Sequence, residues 1–345
     1  MGKYFKIVHL DAGRKYFSPK SLKKMIAQAA ECGYDQFELA VGNDGLRLLL
    51  DDMAMDGKDS DTIKALIQEG NKEYNGDPCC LTQSEMDDIL AFAKEKGIEI
   101  VPMVDMPGHM PVALHIDPTY GWENRGMVSK HSVDIMRERP VAFALEMLEK
   151  YVTYFASKGC RYFNYGTDEF GNDIYPRGGL GFCQLEEQGY LDYLVAFFNK
   201  AADIVVKAGM IPRAFNDGWY YHDDTTMPLN KSVEICYWGK GWMGFDCAAV
   251  STIASMGNPL INSHGDWYYV LKHEGWVQKP TEHMTHDVAD FDTFKANVFP
   301  ANQVHDDLTG AMFCIWCDNS TLLTDEEVAD DVADQMAAMI EHVMK

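Results

Sequence analysis

The stretch Arg161-Tyr162-Phe163-Asn164-Tyr165-Gly166-Thr167-Asp168-Glu169-Phe170 decides the fold. Apolar and polar residues alternate up to Tyr165, which is the period of a strand. Gly166 breaks the alternation, and two adjacent carboxylates come next. A strand that ends in Gly-Thr-Asp-Glu carries acid groups at its C-terminal tip, the end where parallel α/β architectures keep their chemistry. A strand with a merely acidic turn after it fits the same ten residues, so the neighbouring segments have to decide.

Working outward, seven more segments read as strands: 4–11, 37–41, 98–104, 211–215, 233–238, 259–262 and 310–316. Helical patterns alternate with them. Ser18-Pro19 caps a helix that buries Leu22, Met25, Ile26 and Ala29 and stops at Gly33. Further helices are expected over 84–96, 139–159, 184–208, 246–255 and 324–344. Eight strands alternating with mostly helical segments predict a single (β/α)8 TIM barrel over residues 1–345. Three excursions, 43–82, 110–136 and 272–305, are too long for plain connections and are expected to be long βα loops that shape a site.

The net charge of −23 argues against a nucleic-acid partner, because phosphate binding needs a basic surface. No apolar run is long enough for a membrane span. The start of the chain is too quickly polar for a secretory leader. Nine cysteines without regular spacing suggest free thiols rather than a disulfide framework, and with them a cytoplasmic location. Cys314-Ile315-Trp316-Cys317 matches Cys-x-x-Cys but lies in a strand, where positions three apart face opposite ways. His9 stands alone and His283-x-x-His286 lies in a loop, so no metal or other cofactor is expected.

The strand tips carry Arg14, Asp44, Asp105 with His109, Asp168 with Glu169, Asp217 with Trp219, Trp238, Trp267 with Tyr268 and Tyr269, and Trp316 with Asp318. Any one tryptophan could be core and any one aspartate a turn residue. Carboxylates and aromatics recurring at one face point instead to a sugar, whose apolar face stacks on rings and whose hydroxyls bind charged groups. A phosphate site would want glycine-rich nests and basic groups, which are scarce here. For Asp168 and Glu169 both to reach one substrate, the strand must already have bent. Adjacent carboxylates are then too close to be the separated pair of an ordinary glycosidase. One general acid/base plus a residue that assists a neighbouring group fits better, and an N-acetyl group on the sugar could supply the nucleophile itself.

The ordered set resembles glycoside hydrolase family 20, the β-N-acetylhexosaminidases, over nearly the whole chain. The motifs are Leu10-Asp11-Ala12-Gly13-Arg14, Pro107-Gly108-His109, Gly166-Thr167-Asp168-Glu169, Asn216-Asp217-Gly218, Tyr237-Trp238, Trp267-Tyr268-Tyr269 and Ile315-Trp316-Cys317-Asp318. Strings such as Gly-Asp-Trp-Tyr-Tyr occur in surface-attached members, which sets the resemblance against a cytoplasmic location. The resemblance implies retaining hydrolysis of terminal β-linked N-acetylglucosamine, or N-acetylgalactosamine, from a glycan or glycoconjugate. It makes Glu169 the acid/base and Asp168 the residue that orients the 2-acetamido group; an acid that starts protonated should have its pKa raised by burial and by the nearby Asp168. Tyr268 or Tyr269 would donate to that group's carbonyl. Arg14, Asp217, Trp219, Trp238, Trp267, Trp316 and Asp318 would bind or wall the sugar, and Asp44 and His109 would support Glu169. Asn164, Thr167 and Phe215 depart from the family pattern at the pocket floor. A carbohydrate-binding barrel without hydrolysis, or cleavage of one restricted glycan linkage, is the alternative.

Overall fold

The computed structural model describes residues 4–124, 127–170, 189–218, 227–239, 247–280, 308–342 and 344. Eight parallel strands form its centre. They are β1 (Phe5–Asp11), β2 (Gln36–Asn43), β3 (Glu99–Met106), β4 (Tyr162–Gly166), β5 (Ile211–Phe215), β6 (Glu234–Tyr237), β7 (Leu260–Asn262) and β8 (Leu308–Trp316). Each pairs with the next in chain order, and β8 returns to β1, with Phe5 opposite Gly310 and Leu10 opposite Ile315. The sheet is therefore a closed (β/α)8 barrel.

The helices form the outer ring. In Pro19–Cys32, Ser18 accepts a hydrogen bond from the Ser21 amide, and Gly33 ends the helix at φ 91°. Leu22, Met25, Ile26 and Ala29 recur at helical spacing and are all buried against the barrel. Burial of a large aliphatic side chain of this kind is worth roughly 1.5–3 kcal/mol. The next helix, Gln83–Glu95, opens one residue before Ser84. Its cap is Thr82, whose reciprocal bonds with Glu85 satisfy two amides that Ser84 could not. The outer ring also holds Glu138–Ser157, Leu191–Lys207, Val250–Ser255 and Asp325–His342.

The excursion after β2 holds a helix of its own, Ser60–Asn75. The one after β3 holds an antiparallel hairpin, Gly121–Asn124 with Met127–Val133. A third addition comes after β7, where Tyr269–Leu271 pairs parallel to the tip of β8 and turns back as Val277–Gln278. All three stand at the C-terminal ends of the strands.

Inside the barrel, below those ends, lies a polar layer. Glu38 accepts from Arg213 Nη1 at 3.0 Å and Asn164 Nδ2 at 2.9 Å, with His9 Nδ1 at 3.0 Å. Arg213 also donates to Glu234 at 2.8 Å and Gln36 at 3.0 Å. Each of these side chains is buried and each is partnered.

Candidate active site

β4 leaves the barrel through a tight bend. φ is 77° at Gly166, 85° at Thr167 and 50° at Glu169, all left-handed. A Cβ on Gly166 would sit 1.8 Å from Asp105 Oδ1, so only glycine fits. The non-glycine residues are held in this costly geometry by their neighbours. The Thr167 amide donates to Asp105 Oδ1 at 2.9 Å, and its hydroxyl donates to the Phe215 carbonyl at 2.8 Å. The Glu169 amide donates to Asp217 Oδ2 at 2.8 Å. The bend turns both carboxylates to one cavity of about 190 Å³. Trp238, Tyr268, Trp316, Phe215, Arg14 and Asp318 also line it, with Val270 and Lys272 at one side.

The aromatic walls are mutually packed. The Trp238 and Tyr268 rings stack at 6.4 Å, and Tyr268 meets Trp316 edge-on at 5.7 Å. Phe215 lies 5.7 Å from Trp316, and His9 of the polar layer lies 4.5 Å below the same indole. Asp217 does not line the cavity. It stands behind, taking the Trp238 Nε1–H at 2.9 Å with one oxygen and the Glu169 amide with the other.

On the other side, Arg14 gathers carboxylates. It donates to Asp44 at 2.7 Å and Asp11 at 3.1 Å, and lies 3.5 Å from Asp318. Asp44 Oδ1 takes a bond from His109 Nδ1 at 2.9 Å. His109 Nε2 then lies 3.3 Å from Glu169 and 3.7 Å from Asp168. Burial works against a charge on His109, but the Asp44 carboxylate and Glu169 outweigh it and raise its pKa well above the usual range. Asp44 is likewise buried, yet Arg14 and His109 hold its carboxyl well below the usual range.

Asp105 behaves oppositely. Burial, and then the Asp168 carboxylate, push its acid well above the ordinary value. Its Oδ1 takes the Thr167 amide, while its Oδ2 is buried with no hydrogen-bond partner among the described residues. Asp168 Oδ1 is likewise buried without a hydrogen-bond partner among the described residues. Burial and Asp168 raise Asp217 too.

The two tyrosines left open by the sequence face different ways. Tyr268 lines the cavity, and burial raises its phenol pKa so that it stays a donor. The Tyr269 hydroxyl points out of the barrel and donates to Asp331 at 2.8 Å. Trp267 is buried beside the His264 ring and lines no part of the cavity. The side chain of Glu169 is 28 % exposed, less buried than the sequence reading expects, because the cavity mouth opens beside it. Trp219 and the His283/His286 pair lie outside the described residues. Sequence reasoning missed Val270 and Lys272 as lining groups. The period-two run Tyr268-x-Val270-x-Lys272 is the signal that points to them.

Comparison with known proteins places this geometry. The model of glycosyl hydrolase family 20, catalytic domain, matches residues 4–343. Lacto-N-biosidase of Bifidobacterium bifidum is 26 % identical over 263 residues, which is 72 % of this chain and 22 % of that protein. A β-hexosaminidase of Vibrio furnissii is 23 % identical over 199 residues, 53 % of this chain and 31 % of that one. This chain thus spans less than a third of the length of either curated relative. A solved structure of the pneumococcal virulence factor StrH, studied for its inhibition and for N-glycan recognition and hydrolysis, superimposes with a TM-score of 0.86. It is 32 % identical, covering 99 % of this chain and 84 % of that one. Dispersin B, at 20 % identity and a TM-score of 0.68, shares the fold, covering 99 % of each chain.

Proposed function

Because the chain belongs to glycosyl hydrolase family 20, we propose that it is a retaining exo-β-N-acetylhexosaminidase that releases terminal β-linked N-acetylglucosamine through an oxazolinium intermediate. N-acetylgalactosamine is the other sugar the reading admits. The observation that carries it is the bend after β4, which turns two consecutive carboxylates into one aromatic-walled cavity. Neighbours in sequence suit an acid and an orienting residue better than an acid and a separate protein nucleophile. The cavity volume, about 190 Å³, is below the roughly 300–1,000 Å³ of drug-sized sites, which favours release of one sugar ring.

In this mechanism the substrate's own acetamido oxygen attacks C1 as the bond to the leaving oxygen breaks. Glu169 gives its proton to that oxygen. Asp168, steadied by a protonated Asp105, accepts the acetamido N–H and supports the charge that develops on it. Tyr268 donates to the acetamido oxygen. Water then attacks C1 from the opposite face and passes its proton to Glu169, so two inversions return the β configuration. Arg14 and Asp318 bind ring hydroxyls, and Trp238 and Trp316 enclose the acetamido methyl and the sugar face. Asp44 and His109 hold Glu169 in place.

The test is hydrolysis of 4-nitrophenyl N-acetyl-β-glucosaminide in the presence of a thiazoline that mimics the oxazolinium ring. Hydrolysis is expected, with the thiazoline bound at least about 10²-fold more tightly than the substrate. Hydrolysis that the thiazoline leaves untouched would put a protein nucleophile in place of the acetamido group. The tyrosines give a second test. Tyr268→Phe is expected to lower kcat by about 10²-fold, the size of a lost donor to a developing charge. Tyr269→Phe should leave kcat alone and cost about 1 kcal/mol of stability through its lost bond to Asp331. The reverse pattern would exchange their roles.

A further inference from the structure

The cavity has room for one sugar ring, while the proposed substrate class has at least two, and a place for the second ring presupposes that reading. The hairpin after β7 stands at the cavity's edge. Val270 is opposite Gln278 and Leu271 opposite Val277. The Lys272 amide donates to the Trp276 carbonyl at 2.9 Å, which makes Lys272 and Trp276 the next opposed pair. Opposed residues in an antiparallel ladder project from the same face, and alternate residues share it. One face of the hairpin is therefore Val270, Lys272, Trp276 and Gln278, and the other is Leu271 and Val277.

Independent observations agree with that division. Val270 and Lys272 line the cavity. Leu271 is fully buried in the main core, and Val277 packs on it. Trp276 thus stands on the cavity face, one step outward from Lys272, at a Cβ separation of about 5 Å. That is close to the span of one pyranose ring. Its indole is 49 % exposed, the only exposed tryptophan among the described residues. Beside it, Lys272 makes no ion pair among the described residues.

We propose that Trp276 is the platform for the second sugar of the substrate, the unit on the leaving-group side of the scissile bond. The apolar face of that neutral pyranose stacks on the indole, and Lys272 donates to its hydroxyls. The cavity then selects the sugar to be released, and the hairpin selects what it is released from.

Calorimetry with two probes that are not cleaved tests this in wild type, Trp276→Ala and Trp276→Phe. One probe is N-acetylglucosamine, and the other is the sulfur-linked analogue of its β-1,4 disaccharide. Wild type is expected to bind the disaccharide about tenfold more tightly than the monosaccharide. Trp276→Ala should abolish that ratio while leaving the monosaccharide Kd unchanged, which also shows an intact cavity. Trp276→Phe should restore most of the ratio. A ratio that Trp276→Ala leaves in place, or an equal weakening of both probes, overturns the proposal. If wild type binds N-acetylglucosamine and gains nothing from the second ring, the platform alone fails. If it binds neither probe, the proposed function fails at the cavity and the platform with it.

Discussion

Replacing Glu169 with glutamine is expected to lower kcat/KM on an N-acetylglucosaminyl disaccharide by about 10²–10⁴-fold, the usual worth of a positioned general acid. The sugar alcohol that departs is a poor leaving group and needs the proton in the transition state. A 2,4-dinitrophenolate leaves without one, so on that glycoside the first step should lose about tenfold or less. Glutamine keeps the shape of the side chain. The hydrogen bond to the Asp217 carboxylate is donated by the backbone N–H of residue 169 and survives the change, so the melting temperature should not move. His109, at 3.3 Å, holds one carboxyl oxygen and leaves the other for the substrate. The discriminating quantity is the difference between the two substrates. Equal losses on both would mean that the substitution disturbs the site rather than removing an acid. Unchanged rates on both would take Glu169 out of the mechanism.

What the sequence made legible was local. The eight strands announce themselves through alternation and through the glycines that end their helices. The segment 211–215 coincides with β5 to the residue. The identity of the tip residues comes from the same reading, since a strand's end in sequence is its end in space. What depends on contacts between distant segments was not legible. Tyr268 and Tyr269 are adjacent and alike in sequence. They separate only because Val270 pairs with Trp316, which sends Tyr269 outward to Asp331. Asp105 reads as one more acid at a tip. Its acid is pushed up only when the fold buries it and β4 brings the Asp168 carboxylate beside it. Likewise Glu38 and Arg213 lie 175 positions apart, and nothing near either residue names the other. The hairpin carrying Lys272 and Trp276 was hidden inside an excursion read only as a loop.

That buried layer carries the largest expected effect on stability. Arg213→Met removes the guanidinium that faces Glu38, Glu234 and Gln36 in the barrel interior. It leaves two carboxylates where water does not reach, Glu38 fully buried and Glu234 6 % exposed. Breaking a buried ion pair from one side costs about 3–5 kcal/mol, because the stranded charge keeps its desolvation penalty and loses its compensation. Urea unfolding at pH 7 should show a loss of that size. The loss also has a sign in pH. Burial alone would raise the Glu38 acid, but His9 and Arg213 outweigh it, so its folded pKa is depressed. A depressed carboxyl contributes stability above its unfolded value, about 4.3, and that contribution is lost as pH falls through the folded value. In the variant the stranded carboxyl prefers its proton, so acid relieves it, whereas wild type keeps the Glu38 contribution until pH falls below about 4.3. The two unfolding free energies should therefore converge as pH is lowered from 7 towards 4. A constant gap across that range would place the cost in packing rather than in charge. The consequence reaches the cavity, because His9, bonded to Glu38, supports the Trp316 ring from below at 4.5 Å. Arg213→Met should accordingly raise KM in the fraction that remains folded, through a floor that no longer holds its wall in one place.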